Sequence, residues 1–200
     1  PNMEMACIEN LEEAAGAIFQ AKKPVMLVGH SAVRNKASKE ITAFAHKMKI
    51  PVINTMMAKG VIPFDDPYSM WTIGIPQKDY VDVILEQADL VIAVGYDIVE
   101  YAPAKWNADG KHAILHIDAR PCHINKLYQP DIEVVGDISY SLKQISLRCK
   151  RTEEPEWAFA IKKLMVEEYE SYQNDQSFPM KPQKILSDVR RVLDRDDLVI

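Results

Sequence analysis

Two periods alternate along this chain. Nearly continuous apolar runs recur at residues 24–29, 50–54, 89–95, 111–118 and 132–136, with a shorter one at 68–74. Runs that stay apolar on consecutive positions predict strands buried on both faces, hence a parallel sheet covered by helices. The stretches between them follow the helical period. Leu11, Ala14, Ala15 and Ile18 share one face before the first run, and Ala37, Ile41, Phe44, Ala45 and Met48 share one after it. Tyr80, Val81, Ile84, Leu85 and Ala88 precede the run at 89–95, while Leu142, Ile145 and Leu147 follow the last run. Asp137 stands where its carboxylate accepts a bond from a free amide of that last helix. Pro121 reads as a first helical position shortly after Asp118.

After Cys149 the character changes. Residues 150–155 are charged and polar and read as a linker. An amphipathic helix is predicted over 157–172, with Trp157, Ile161, Leu164, Met165 and Tyr169 near one stripe. A second break at 174–182 precedes another helix at 183–193. Strand and helix alternation of this kind predicts an α/β fold: a doubly wound, mostly parallel, Rossmann-like sheet of about six strands with helices on both faces, right-handed crossovers, and a C-terminal helical extension.

The composition narrows the class. With 48% hydrophobic residues in 200, the chain can bury a core of ordinary size. No apolar run approaches the roughly 20 residues of a membrane helix. A formal net charge of -5 with interspersed signs argues against nucleic acid as a partner. Cys7, Cys122 and Cys149 are widely spaced and form no metal-type cluster, so thiols in a reducing, cytoplasmic setting are expected. The chain opens on Pro1 and closes inside the apolar stretch 198–200, which reads as a piece excised from a longer protein.

In an open parallel sheet, ligands sit past the carboxyl ends of the strands where the strand order reverses. The candidate residues are therefore Gly29 and His30 after the first run, Gly74 and Gln77 after the short one, Gly95, Tyr96 and Asp97 after the central one, and Asp118 after the next. The seven glycines are scattered singly, so neither a dinucleotide fingerprint nor a Walker loop exists. Gly29 fits a tight turn that leaves no room for a side chain. Asp118 suits either a ribose hydroxyl or support of the turn before Pro121. The central strand end is acidic, with Asp97 and Glu100 and no Lys or Arg before Lys105. The histidines lack partners at catalytic spacing, and Ser31 lacks the context of a nucleophile elbow.

Taken together, "KPVMLVG", "ADLVIAVGYD" and "HIDARPCHINKLYQPDIEVVGD" resemble the central domain of thiamine diphosphate-dependent enzymes, and within them the acetolactate synthases. "EYAPAKWN" at 100–107 is similar to the segment of the catabolic, FAD-independent type. "FPMKPQKILSDVRRVLDRDDLVI" at 178–200 resembles the opening of the diphosphate-binding domain that follows. The resemblance implies an incoming segment at 1–14, the central domain at 15–149, a helix-bearing linker at 150–182 and the start of the next domain at 183–200. It implies a full-length cytoplasmic homodimer or homotetramer that condenses two pyruvates to 2-acetolactate and CO₂. Thiamine diphosphate and Mg²⁺ would be held by domains outside this chain, so no catalytic or metal residue is expected here.

The resemblance also bears on FAD, which the anabolic members hold in this domain. Their Gly-Ala-Arg pattern is Gly95-Tyr96-Asp97 here, and their Gly-Met-His-Gly turn is Gly74-Ile75-Pro76-Gln77. A carboxylate about 4 Å from a phosphate at an effective dielectric of ~20 is opposed by about 4 kcal/mol. That is close to three decades of affinity. Asp97, with the bulk of Tyr96 and Gln77, is therefore expected to keep FAD out and leave a vestigial crevice in a scaffolding domain. The loop at 74–79, with Gln77 and Lys78, would form one wall of the active-site entrance. The competing readings are an FAD-binding anabolic central domain, another thiamine diphosphate-dependent 2-oxo acid decarboxylase, a free-standing dinucleotide-binding oxidoreductase domain, and a pure interaction protein.

Overall fold

The computed structural model describes residues 5–74, 79–194 and 197. In chain order the elements are α1 (Ile8–Gln20), β1 (Pro24–Val28), α2 (His30–Arg34), α3 (Ser38–Met48), β2 (Val52–Asn54), β3 (Ser69–Thr72), α4 (Tyr80–Gln87), β4 (Leu90–Val94), α5 (Pro103–Trp106), β5 (Ala113–Asp118), β6 (Ile132–Val135), α6 (Ile138–Arg148), α7 (Glu156–Ser171) and α8 (Pro182–Val192). The six strands form one sheet in the order β3-β2-β1-β4-β5-β6, and every pairing is parallel. This is a doubly wound α/β fold, and its strand order reverses between β1 and β4.

The apolar runs become strands for the expected reason. Every residue of β1 and of β4 is buried, so both faces of the sheet centre are covered. Helix α6 packs against both α1 and α3, and α4 packs against α5. β3 is less regular. β2 advances from Val52 to Asn54 while β3 advances from Ser69 to Thr72, and Trp71 absorbs the extra residue with φ +66°. That is the signature of a β-bulge.

Two expectations are corrected. Pro121 does not begin a helix, because side chains there satisfy backbone groups that a helix would use. The Cys122 N–H donates to Glu133 Oε1 at 2.6 Å, the Leu127 N–H donates to Asn125 Oδ1 at 2.8 Å, and Asn125 bridges Tyr128. Local competition of this kind is the usual alternative to helix. Leu147 is exposed, while Ile138, Ser141, Leu142 and Ile145 are the buried residues of α6. The C-terminal apolar stretch at 198–200 lies outside the described residues.

Asp137 does cap α6, its carboxylate accepting from the Tyr140 N–H at 2.6 Å. Asp137→Ala is expected to lower stability by about 0.5–2 kcal/mol, read as a shift in urea midpoint at constant slope.

The chain divides into two compact units, Pro1–Ala158 and Phe159–Ile200. The first includes the polar stretch after Cys149, which is fastened down. Arg151 Nη1 donates to the carbonyls of Ile18 at 2.8 Å and Ala21 at 2.5 Å, closing the end of α1. Glu154 accepts from the Tyr68 hydroxyl at 2.6 Å and pairs with Lys49 at 2.7 Å. The Lys49 and Tyr68 hydrogen bonds hold the Glu154 carboxyl below its ordinary range. In the second unit, α8 carries Ile185, Leu186 and Val192 exposed on its surface.

Candidate functional site

The site to interrogate is the reversal point, at the carboxyl ends of β1 and β4. There the chain closes on itself. The Gly29 N–H donates to the Val94 carbonyl at 2.9 Å, and the Ser31 N–H donates to the Gly95 carbonyl at 3.0 Å. A methyl group on Gly29 would lie 2.5 Å from both the Gly95 oxygen and the Tyr96 Cα. One on Gly95 would fall on the Ala32 nitrogen and lie 2.9 Å from the Ala32 Cα, and Gly95 itself has φ +59°. In a dinucleotide fold such glycines admit a pyrophosphate. Here they admit backbone.

The carboxylate turned toward this crevice belongs to Glu100. Its Oε1 accepts the N–H of His30 at 3.0 Å and that of Asp97 at 3.2 Å; its Oε2 accepts the His30 N–H at 2.9 Å and the Thr55 hydroxyl at 2.6 Å. Thr55 is 1% exposed. Donors from the ends of β1, β2 and β4 thus converge on one side chain. Asp97, the expected repeller, looks elsewhere. Its Oδ1 accepts from the Val99 N–H at 3.1 Å and its Oδ2 faces His123 Nδ1 at 3.4 Å, at the surface.

Asp118 supports its own turn. Its Oδ1 accepts the Ser31 hydroxyl at 2.7 Å and the Ala119 N–H at 2.5 Å, which ties β5 to α2. Tyr96 is in the core, its hydroxyl donating to the Tyr101 carbonyl and accepting from Trp106 Nε1. Burial pushes its phenol well above the ordinary value. Tyr96, Trp106 and Tyr128 pack ring to ring, and Tyr128 bonds His116 Nδ1 at 2.7 Å. The Tyr101 hydroxyl donates to Asp82 at 3.0 Å, and Asn107 Nδ2 donates to the Leu127 carbonyl at 2.8 Å. Every polar residue of 100–107 except Lys105 therefore fastens this segment over the crevice. Burial, and then the neighbouring Glu133, pushes the Cys122 thiol up to about 12. The Gly74 backbone lies against Met56, whose Cγ would be 3.6 Å from an added methyl. Gln77 and Lys78 lie outside the described residues.

Of the predicted residues, the fold thus brings together Gly29, His30, Gly95 and Asp97 through their backbones, and Asp118 through Ser31. Glu100, Thr55 and Ser31 are the members that sequence reasoning did not place. Glu100 was visible as one of two acids after the central strand, but nothing in its spacing said which acid turns inward.

Residues 11–145 match the family model described as "Thiamine pyrophosphate enzyme, central domain". The chain belongs to this family. The chain is 36% identical over 147 residues to the acetolactate synthase of Bacillus subtilis (strain 168), covering 72% of this chain and 26% of that protein. It is 33% identical over 150 residues to the catabolic acetolactate synthase of Raoultella terrigena, covering 74% and 26%. Against the probable acetolactate synthase large subunit of Methanocaldococcus jannaschii it is 30% identical over 201 residues, covering 94% and 32%. The chain thus spans 26% to 32% of the length of these relatives.

At the reversal point the His30 N–H and the Thr55 hydroxyl serve Glu100, and a methyl on either glycine would meet backbone. Among the described residues, no group of three or more His, Cys, Asp or Glu side chains is placed to hold a metal ion. No helix there is long and apolar enough to cross a membrane.

Proposed function

We propose that this chain is the non-catalytic central domain of a catabolic-type acetolactate synthase, a cytoplasmic homodimer or homotetramer that functions without FAD. The full-length enzyme condenses two pyruvates, taking up one proton and releasing CO₂, to give 2-acetolactate. Thiamine diphosphate supplies the carbanion chemistry, and it and Mg²⁺ are held by flanking domains. The central domain acts as a scaffold between them. The observation that carries the FAD-free reading is the contact of Gly29 with Gly95 and Tyr96, which spends on chain packing the space a nucleotide would need.

The test is made on the full-length protein. Acetolactate formation from pyruvate is expected to require added thiamine diphosphate and Mg²⁺ and to be unchanged by added FAD. The purified protein is expected to show no flavin absorption. Stoichiometric flavin bands would overturn the FAD-free reading, and activity without thiamine diphosphate would overturn the reaction.

A further inference from the structure

We propose that Glu100 is the resident anion of this crevice, an internal carboxylate that holds the donors a fold of this strand order otherwise offers to a nucleotide phosphate. The inference rests on the FAD-free reading above and names the group responsible for it.

Three observations carry it. The first is convergence. The His30 N–H, the Asp97 N–H and the Thr55 hydroxyl come from three strand ends and meet on one carboxylate at 2.6–3.2 Å. Glu100 stands 70 residues from His30 and 45 from Thr55, so the arrangement is tertiary and not a local turn. The second is space. A methyl on Gly29 would come within 2.8 Å of Glu100 Oε1, so the absent side chain is what allows the carboxylate to approach. The glycine does for Glu100 what a fingerprint glycine does for a pyrophosphate.

The third is anchorage. Tyr101 bonded to Asp82, Trp106 bonded to Tyr96 and Asn107 bonded to Leu127 hold the segment that delivers Glu100. A side chain on an anchored segment faces its donors at an effective concentration that a free anion cannot match at ordinary levels. Competition is thus decided by tethering as well as by charge. Asp97, at the surface and facing His123, contributes its amide and not its carboxylate.

The test compares wild-type full-length protein with Glu100→Ala and Glu100→Asp. Thermal unfolding is followed in inorganic phosphate and in sodium chloride at matched ionic strength. Glu100→Ala is expected to lower the unfolding midpoint by about 3 °C or more in chloride. Phosphate is expected to restore at least half of that loss, over and above the shift it gives the wild type. Glu100→Asp retracts the carboxylate by one methylene and keeps the test alive if the alanine variant does not fold; it is expected to show a smaller loss and a smaller phosphate response. A midpoint unchanged by Glu100→Ala, or a loss that phosphate does not reverse in either variant, would overturn the proposal. Flavin in the wild-type protein as isolated would instead overturn the underlying reading, whatever the midpoints show.

Discussion

Gly95→Ala is expected to destabilise this domain by about 2–5 kcal/mol. Two costs combine. An L-residue held at φ +59° carries about 1–2 kcal/mol of left-handed strain. The added methyl also falls on the Ala32 backbone, and overpacking of this kind costs about 1–3 kcal/mol more. Neither can relax cheaply, because the Gly95 N–H is bonded to the Ile117 carbonyl at 2.9 Å and its carbonyl accepts from Ser31 at 3.0 Å. Gly110→Ala is the control. Gly110 has φ +65° but nothing within 4 Å of an added methyl, so it should show the conformational cost alone. Urea titration of both variants checks the difference. Equal losses would mean that the crevice is not closed by backbone contact.

That closure was half legible in the sequence. The strands were readable because β1 and β4 are buried on both faces, and burial on both faces leaves consecutive apolar residues as its trace. The short helix α2 and the four-residue α5 left no trace, since neither is long enough to show a period. Pro121 misled because its helix-start signal is local, whereas the Glu133 carboxylate that takes the Cys122 amide arrives from a strand eleven residues on. At the crevice, the lone glycines and the acidic strand end named residues that meet there, Gly29, Gly95 and Asp97. They could not say that Asp97 turns out while Glu100 turns in, since that choice is made by donors 70 and 45 residues away. The bulk of Tyr96, expected in the crevice from its place at the strand end, goes instead to the core, where its partners are Trp106 and Tyr101.

The same core yields the second large effect. Tyr128 is fully buried between Tyr96, Trp106 and His116, and Tyr128→Ala is expected to cost about 3–5 kcal/mol by leaving a cavity under the segment that delivers Glu100. Tyr128→Phe keeps the ring but removes the hydroxyl from His116 Nδ1. That hydroxyl is the hydrogen-bond partner of Nδ1 among the described residues, so the substitution would leave this ring nitrogen buried without it. An expected cost of about 1–3 kcal/mol follows from leaving that nitrogen buried and unpaired. The pH dependence should carry the same signature. Burial pushes the His116 imidazole below its ordinary value, against the opposing pull of the Asp118, Glu133 and Asp97 carboxylates. The unfolded chain takes up this proton near pH ~6.5 while the folded chain resists it to lower pH, so the unfolded state binds more protons in that window. Stability is therefore full above the ordinary histidine range and declines as the pH falls through it toward the depressed folded value. His116→Gln removes the titrating group and should flatten that decline, measured as the difference in unfolding free energy between neutral and mildly acidic buffer. An acid-side slope identical to that of the wild type would show that the proton is taken up elsewhere.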